Sequence, residues 1–274
     1  MRTQQLAGTQ VPVIGQGTWQ MGEDPARHKE EVAALRLGIE LGMTLIDTAE
    51  MYAEGGAEIV VGDAIAGQRD RVFLVSKVYP HNASRQGIPQ ACERSLRRLK
   101  TETIDLYLLH WRGQYPLEET VEAFERLREA GKIGRWGVSN LDLDDMLELP
   151  AKEACATNQV LYNLEERGIE FDLLPWCKAH GMPVMAYCPI GQAGNMLANA
   201  TLKQVAARHH ATPAQVSLAW LLRQDGVIAI PKAVRPEHVQ LNAQAARLKL
   251  EAGDLEALDQ AFQAPKRKQR LAMV

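Results

Sequence analysis

The chain has 274 residues, 46% of them hydrophobic and 24% charged, with a formal net charge of −3 and a pI near 6.2. That is enough apolar material for one large barrel-like domain or two ordinary ones, and the charge balance gives no reason to expect a nucleic-acid partner. No apolar run approaches the roughly 18 residues of a membrane span and "MRTQQLAGTQ" lacks an apolar signal core, so no membrane is expected and cytoplasm is the default location.

In chain order, "LAGTQVPV" holds a Gly-centred turn between short alternating runs and reads as a hairpin plugging one end of the fold. "GQGTWQ" at 15–20 reads as a first strand, followed by "EEVAALRLGIELG", whose spacing places Val32, Leu35, Ile39 and Leu41 on one helical face. Strand-like runs recur at 43–47, 71–77, 103–110, 134–140, 155–160, 182–189 and 226–232. Helical segments such as "IPQACERSLRRL" and "LEETVEAFERLREAGK" separate them, the latter ending in a Gly that commonly stops helices.

Eight β-α repeats with no Pro-, Gly- or Ser-rich linker predict an α/β chain folded as one (β/α)8 TIM barrel over 1–274, with the N-terminal hairpin at the bottom and a short C-terminal tail. A doubly wound open sheet would need a G-x-G-x-x-G turn, and "GQGTWQ" has Gln20 at its third position.

In such a barrel the active site lies where the strands end. The last polar residues of the runs are Trp19 with Gln20, Asp47, Lys77, His110, Ser139 with Asn140, Gln159, Tyr187 and Lys232, and Tyr52 follows Asp47 by five residues. Asp, Tyr, Lys and His together suit carbonyl reduction. An ammonium near a phenol, with an ordinary pKa of about 10, lowers it, so Lys77 oriented by Asp47 would make Tyr52 a proton donor. A neutral His110 would hold the substrate oxygen. None of the four carries a hydride, so a nicotinamide is implied.

The order and spacing of "GTW", "LIDTAEMY", "LVSK", "IDLYLLHW", "GKIGRWGVSN", "NQVLYN", "AYCPIG" and "IPKAVRPEHVQLN" resemble the aldo-keto reductases across nearly the whole chain, especially bacterial members that take small aldehydes and methylglyoxal. The resemblance implies Tyr52 as general acid, tuned by Lys77 and Asp47, with His110 orienting the carbonyl. It implies that Ser139, Asn140 and Gln159 hold the nicotinamide carboxamide and that Tyr187 stacks on its ring. Thr18, Trp19, Asp47, Pro189, Gly191 and Ile230 complete that end of the cofactor site. Lys232, Ala233, Arg235, His238 and Asn242 belong to its adenosine end. NADPH is the expected cofactor, with NADH possible because Ala233 and His238 stand where relatives often have a hydroxyl and an Arg. Trp19, Tyr52, His110 and Trp111, with the loop after His110 and the C-terminal segment, would line an open pocket for a small carbonyl substrate.

Other features read as structural. Cys92, Cys155, Cys177 and Cys188 show no C-x-x-C pair, which suggests neither zinc nor a disulfide framework, and Cys188 reads as a small buried residue rather than a reactive thiol. Adjacent His209 and His210 point in different directions on a helix, so no metal is expected. Glu50 reads as a surface or helix-start carboxylate, Arg112 as a solvated loop residue and "KRKQR" as a solvated tail. A monomer is expected. Two rivals remain at this stage: a Schiff-base aldolase using Lys77, and a cofactor-binding interaction barrel with little turnover.

Overall fold

The computed structural model describes residues 1–192 and 195–274. It opens with an antiparallel hairpin, β1 (Thr3–Leu6) and β2 (Thr9–Pro12), turning at Ala7 and Gly8, whose φ values are 44° and 83°. Left-handed geometry at both central residues matches the twist of the flanking strands. Arg135 Nε donates to the Ala7 carbonyl at 2.8 Å and ties the turn to the barrel.

Eight parallel strands follow: β3 (Gln16–Gly17), β4 (Leu45–Asp47), β5 (Phe73–Val78), β6 (Ile104–Leu109), β7 (Ile133–Ser139), β8 (Asn158–Leu161), β9 (Val184–Tyr187) and β10 (Val227–Ala229), each paired with its sequence neighbour. The two edges meet: Gly15 N donates to the Ala229 carbonyl at 2.9 Å and Gly17 N to that of Pro231 at 3.1 Å. This closes the expected (β/α)8 barrel. A Cβ at Gly17 would stand 2.7 Å from the Ile230 carbonyl oxygen, so a glycine that fails as a dinucleotide fingerprint serves close strand approach instead.

The helices are α1 (His28–Glu40), α2 (Gly56–Ile65), α3 (Gly87–Leu99), α4 (Leu117–Glu129), α5 (Leu143–Glu148), α6 (Leu173–Ala179), α7 (Ala200–Arg208), α8 (Pro213–Leu221), α9 (Pro236–Ala245) and α10 (Ala252–Ala261). In α1, Leu35 and Ile39 are buried as the spacing requires, but Leu41 is exposed. The helix stops at Glu40 and the chain turns at Gly42 (φ 90°), which takes Leu41 off the apolar face. None of these helices is long and apolar enough to cross a membrane.

Strand alternation sorts the core into two clusters. Outward Ile46, Leu74, Val78, Tyr107, Leu109, Trp136 and Val138 pack beneath the helices. Inward Leu45, Phe73, Val75, Leu106, Leu108, Met185, Ile228 and Ile230 fill the barrel, and Leu6 and Val11 of the hairpin join them from below. The hairpin therefore plugs the bottom through its own apolar face. Continuing the inward set by one step on each strand reaches Asp47, Lys77, His110, Ser139, Tyr187 and Lys232, which is how a period of two delivers functional groups to one mouth.

Candidate active site

The strand ends open into a cavity of about 720 Å³. At its floor the fully buried Lys77 Nζ donates to Asp47 Oδ2 at 2.8 Å, to the Thr48 carbonyl at 2.9 Å and to Tyr52 Oη at 3.0 Å. An ammonium has three donors and no acceptor, so these contacts use it fully. Tyr52 Oη is thereby an acceptor toward Lys77, and its own proton is left to go elsewhere. The second Asp47 oxygen accepts from Gln159 Nε2 at 2.7 Å, which fixes the carboxylate on both sides.

Burial is the strongest single influence and would by itself depress the Lys77 ammonium, but the charges and hydrogen bonds of Asp47 and Tyr52 together outweigh it, and its pKa lies above the ordinary lysine value. The phenol runs against expectation. Burial raises the pKa of Tyr52 and Asp47 adds to the rise, so the lowering by Lys77 is not enough to bring it below the ordinary value. The phenol is therefore held protonated across the neutral range.

His110 follows β6, is 8% exposed, and meets the Tyr52 ring edge-on with centroids 5.7 Å apart. Burial first, and the Lys77 charge second, push its pKa well below the ordinary imidazole value, so it stays neutral. A pH profile of kcat/KM is accordingly expected to show no acid limb near pH ~6.5; a limb there that disappears in His110→Gln would contradict the burial argument. The sign for stability follows. The unfolded imidazole takes up a proton as pH falls below about 6.5 and the folded one resists, so His110 costs stability on acidification.

Around this floor stand many of the residues expected at the cofactor. Thr18, Trp19, Ser139, Asn140, Gln159 and Tyr187 line the cavity, as do Pro189, Gly191, Ile230 and Lys232. Thr18 Oγ1 donates to the Asp47 carbonyl at 2.9 Å and Ser139 Oγ to that of Gln159 at 2.8 Å. Asn140, at φ 57°, donates through Nδ2 to the His110 carbonyl at 3.2 Å, and its Oδ1 accepts from Tyr187 Oη at 2.9 Å. Lys232 is half-buried with no ion pair among the described residues, and burial, with Arg27 nearby, lowers its pKa. Ala233, Arg235, His238 and Asn242 lie beyond the cavity wall, on the approach to α9 and along its first turns.

Trp111 lies between His110 and Tyr79, with ring centroids 4.9 and 5.2 Å away, and Trp19 is 41% exposed at the mouth. Met51, Gln192, Met273 and Val274 also form the wall. Sequence reasoning named the C-terminal segment there but not Met51, beside Tyr52, or Gln192. Apart from Trp111, the loop after His110 stays outside the wall, and Arg112 pairs with Asp145 and Glu148 of α5.

Glu50 differs from its reading. Its side chain is 7% exposed, accepting from Tyr79 N at 2.8 Å and Asn82 Nδ2 at 2.9 Å, and it pairs with Arg94, so it is a buried structural carboxylate. Cys188 lines the cavity half-buried, its thiol pushed up by burial. His209 Nε2 pairs with Asp254, and no cluster of metal-ligating side chains occurs among the described residues.

The family model for the aldo/keto reductase family matches residues 13–263. The chain is 58% identical to the methylglyoxal reductase YeaE of Escherichia coli K12, covering 96% of this chain and 95% of that protein. It is 32% identical to the glyoxal reductase of Bacillus subtilis strain 168, over 92% and 89% of the two chains. The crystal structure of an aldo/keto reductase from Klebsiella pneumoniae in complex with NADP and acetate superposes with a TM-score of 0.97, at 55% identity over 99% of both chains. A barrel closed in this order, with a match running through nearly every strand and helix, leaves one conclusion: the chain belongs to the aldo/keto reductase family.

Proposed function

We propose that this enzyme reduces small aldehydes and 2-oxoaldehydes, methylglyoxal among them, to alcohols with NADPH, using Tyr52 as the general acid. The observation that carries the reading is the Tyr52 Oη to Lys77 Nζ contact of 3.0 Å at the cavity floor, with Lys77 anchored on Asp47. The methylglyoxal and glyoxal reductases among its relatives, and the NADP-bound Klebsiella protein, support the substrate class and the cofactor.

The residues present fit the cofactor. The cavity runs from Trp111 to Lys232, a cation without an ion pair among the described residues, as a dinucleotide phosphate would require. Gln159, Ser139 and Asn140 would hold the carboxamide, Tyr187 the ring, Lys232 and Arg235 the adenosine 2′-phosphate, with Ala233, His238 and Asn242 around the adenosine. When bound, the reduced nicotinamide supplies the hydride. Tyr52 gives its proton to the carbonyl oxygen, Lys77 stabilises the phenolate left behind, and neutral His110 and Trp111 orient the substrate. Trp19 closes the mouth side. The Lys77 pKa weighs against the aldolase reading, since a Schiff-base lysine must lose its proton and this one is held charged.

The test is NADPH oxidation followed by absorbance with methylglyoxal and with 4-nitrobenzaldehyde. Turnover of both is expected, and binding of NADPH without reduction of any carbonyl would favour the interaction-barrel reading. For the cofactor, kcat/KM is expected to be higher with NADPH than with NADH, and Lys232→Met should lower the NADPH value about tenfold to a hundredfold while sparing NADH, as loss of one charged hydrogen bond predicts. Equal values for the two cofactors in the wild type would remove this assignment. The same reading has residues 1–274 acting as one domain, as a monomer, in the cytoplasm; sedimentation at equilibrium checks the monomer.

A further inference from the structure

The backbone directly after Tyr52 is left-handed for three residues in succession: Ala53 (φ 49°, ψ 40°), Glu54 (φ 52°, ψ 36°) and Gly55 (φ 93°, ψ 0°). Neither Ala nor Glu favours that region, and such strain persists where neighbours over-determine it. Two neighbours do so here. The backbone at Gly22 presses on Gly56, so that a Cβ at Gly22 would lie 2.4 Å from the Gly56 carbonyl carbon. The Arg98 guanidinium fills the space beside Gly55, where a Cβ would lie 2.4 Å from Nε.

Arg98 is itself held from behind. Its guanidinium donates to Glu58 Oε2 at 2.6 Å, and the Glu58 side chain is 0% exposed. The other Glu58 oxygen accepts from Ser76 Oγ at 2.6 Å, and Ser76 precedes Lys77 on β5. A continuous line of contacts therefore joins the strand carrying Lys77 to the turn carrying Tyr52, through a buried carboxylate that the proton transfer does not use. One helical turn earlier on α3, Arg94 makes a second bond of this kind to Glu50, on the other side of Tyr52. It is longer, 3.3 Å, and its arginine is 38% exposed against 22% for Arg98. The i, i+4 spacing puts both arginines on one face of α3. Neither they nor the two carboxylates line the cavity.

We propose that Arg98, fixed by Glu58 and Ser76, is a positioning residue that clamps the strained turn and so holds Tyr52 against Lys77, with Arg94 and Glu50 as a weaker second clamp. The inference rests on Tyr52 being the proton donor. Breaking a buried pair leaves an uncompensated charge, so the tight Arg98–Glu58 clamp carries more than the exposed one.

The experiment compares Arg98→Gln, Arg94→Gln and the surface control Arg97→Gln in the full chain with methylglyoxal and NADPH. Arg98→Gln is expected to lower kcat about tenfold to a hundredfold, the scale set by ångström misplacement of a reacting group, with NADPH affinity retained. Arg94→Gln should lose less, and Arg98→Lys should recover part of the rate. The alkaline limb of kcat should move to higher pH in Arg98→Gln, because a phenol parted from the ammonium loses the interaction that favours its ionised form. Amide exchange in residues 48–57 should quicken. If Arg98→Gln does not fold, Ser76→Ala, which removes one hydroxyl from Glu58, should shift kcat and the limb in the same directions. The proposal is overturned if rate, limb and exchange match Arg97→Gln, or if the rate falls in proportion to lost NADPH-binding sites with the limb unmoved. Should the wild type reduce no carbonyl, the functional reading falls, while the exchange comparison still decides whether Arg98 clamps the turn.

Discussion

Tyr52→Phe is expected to lower kcat by about 10²–10⁴-fold, the usual contribution of a positioned general acid, while NADPH binding stays near wild type. The substitution removes one oxygen and leaves the ring, which is half-buried against His110. Lys77 loses one of its three acceptors but keeps Asp47 and the Thr48 carbonyl, so the floor of the cavity survives. Stopped-flow binding of NADPH beside steady-state turnover separates the two effects. A variant that turned over like the wild type would falsify the assignment of the proton donor, because among the described residues no other side chain bonded to Lys77 carries a hydroxyl proton.

Lys77→Met is expected to do damage twice. Asp47 would be left buried, with Gln159 as its remaining side-chain donor, and breaking a buried pair from one side costs about 3–5 kcal/mol of stability. Denaturant unfolding measures that loss. In the fraction that folds, kcat should fall at least as far as in Tyr52→Phe, since the phenolate formed during transfer would have lost its counter-charge in a buried site. The double variant Tyr52→Phe/Lys77→Met should then be little worse than either alone, as residues acting as a unit are not additive. Additive losses in kcat would mean that the two side chains act in separate steps.

Much of this site was legible in the sequence because a strand's period of two is a strong constraint. Once 45–47, 73–78 and 104–109 are strands, Asp47, Lys77 and His110 must share the inward face of Leu45, Val75 and Leu108, and a closed sheet brings them to one mouth. What stayed hidden depends on the third dimension. The direction of the Tyr52 pKa is a contest between burial and an ammonium, and the sequence shows the ammonium but not how much water is excluded. Glu50 reads as exposed because acidic residues in turns usually are; its burial comes from Tyr79, Asn82 and Arg94, which lie 29, 32 and 44 residues away. Arg98 and Glu58 are 40 residues apart, and nothing in their spacing announces that they meet behind Tyr52. Met51 and Gln192 join the wall through loop conformations that no periodicity encodes.

The hairpin at the foot of the barrel has a kinetic consequence. Leu6 and Val11 are fully buried among the inward side chains of the strands, so a hydrocarbon column that includes Leu45, Val75, Leu106 and Leu108 lies between them and the Asp47–Lys77 pair, with Arg135 at its foot beside the hairpin turn. Protons do not travel through such a column. On the proposed mechanism, the proton that Tyr52 gives up in each turnover is replaced from the open end, along the route by which the alcohol departs and the next carbonyl arrives. Recharging the acid and exchanging product for substrate thus share one doorway, and a solvent deuterium isotope effect would be felt in the release phase of the cycle as well as in the chemical step.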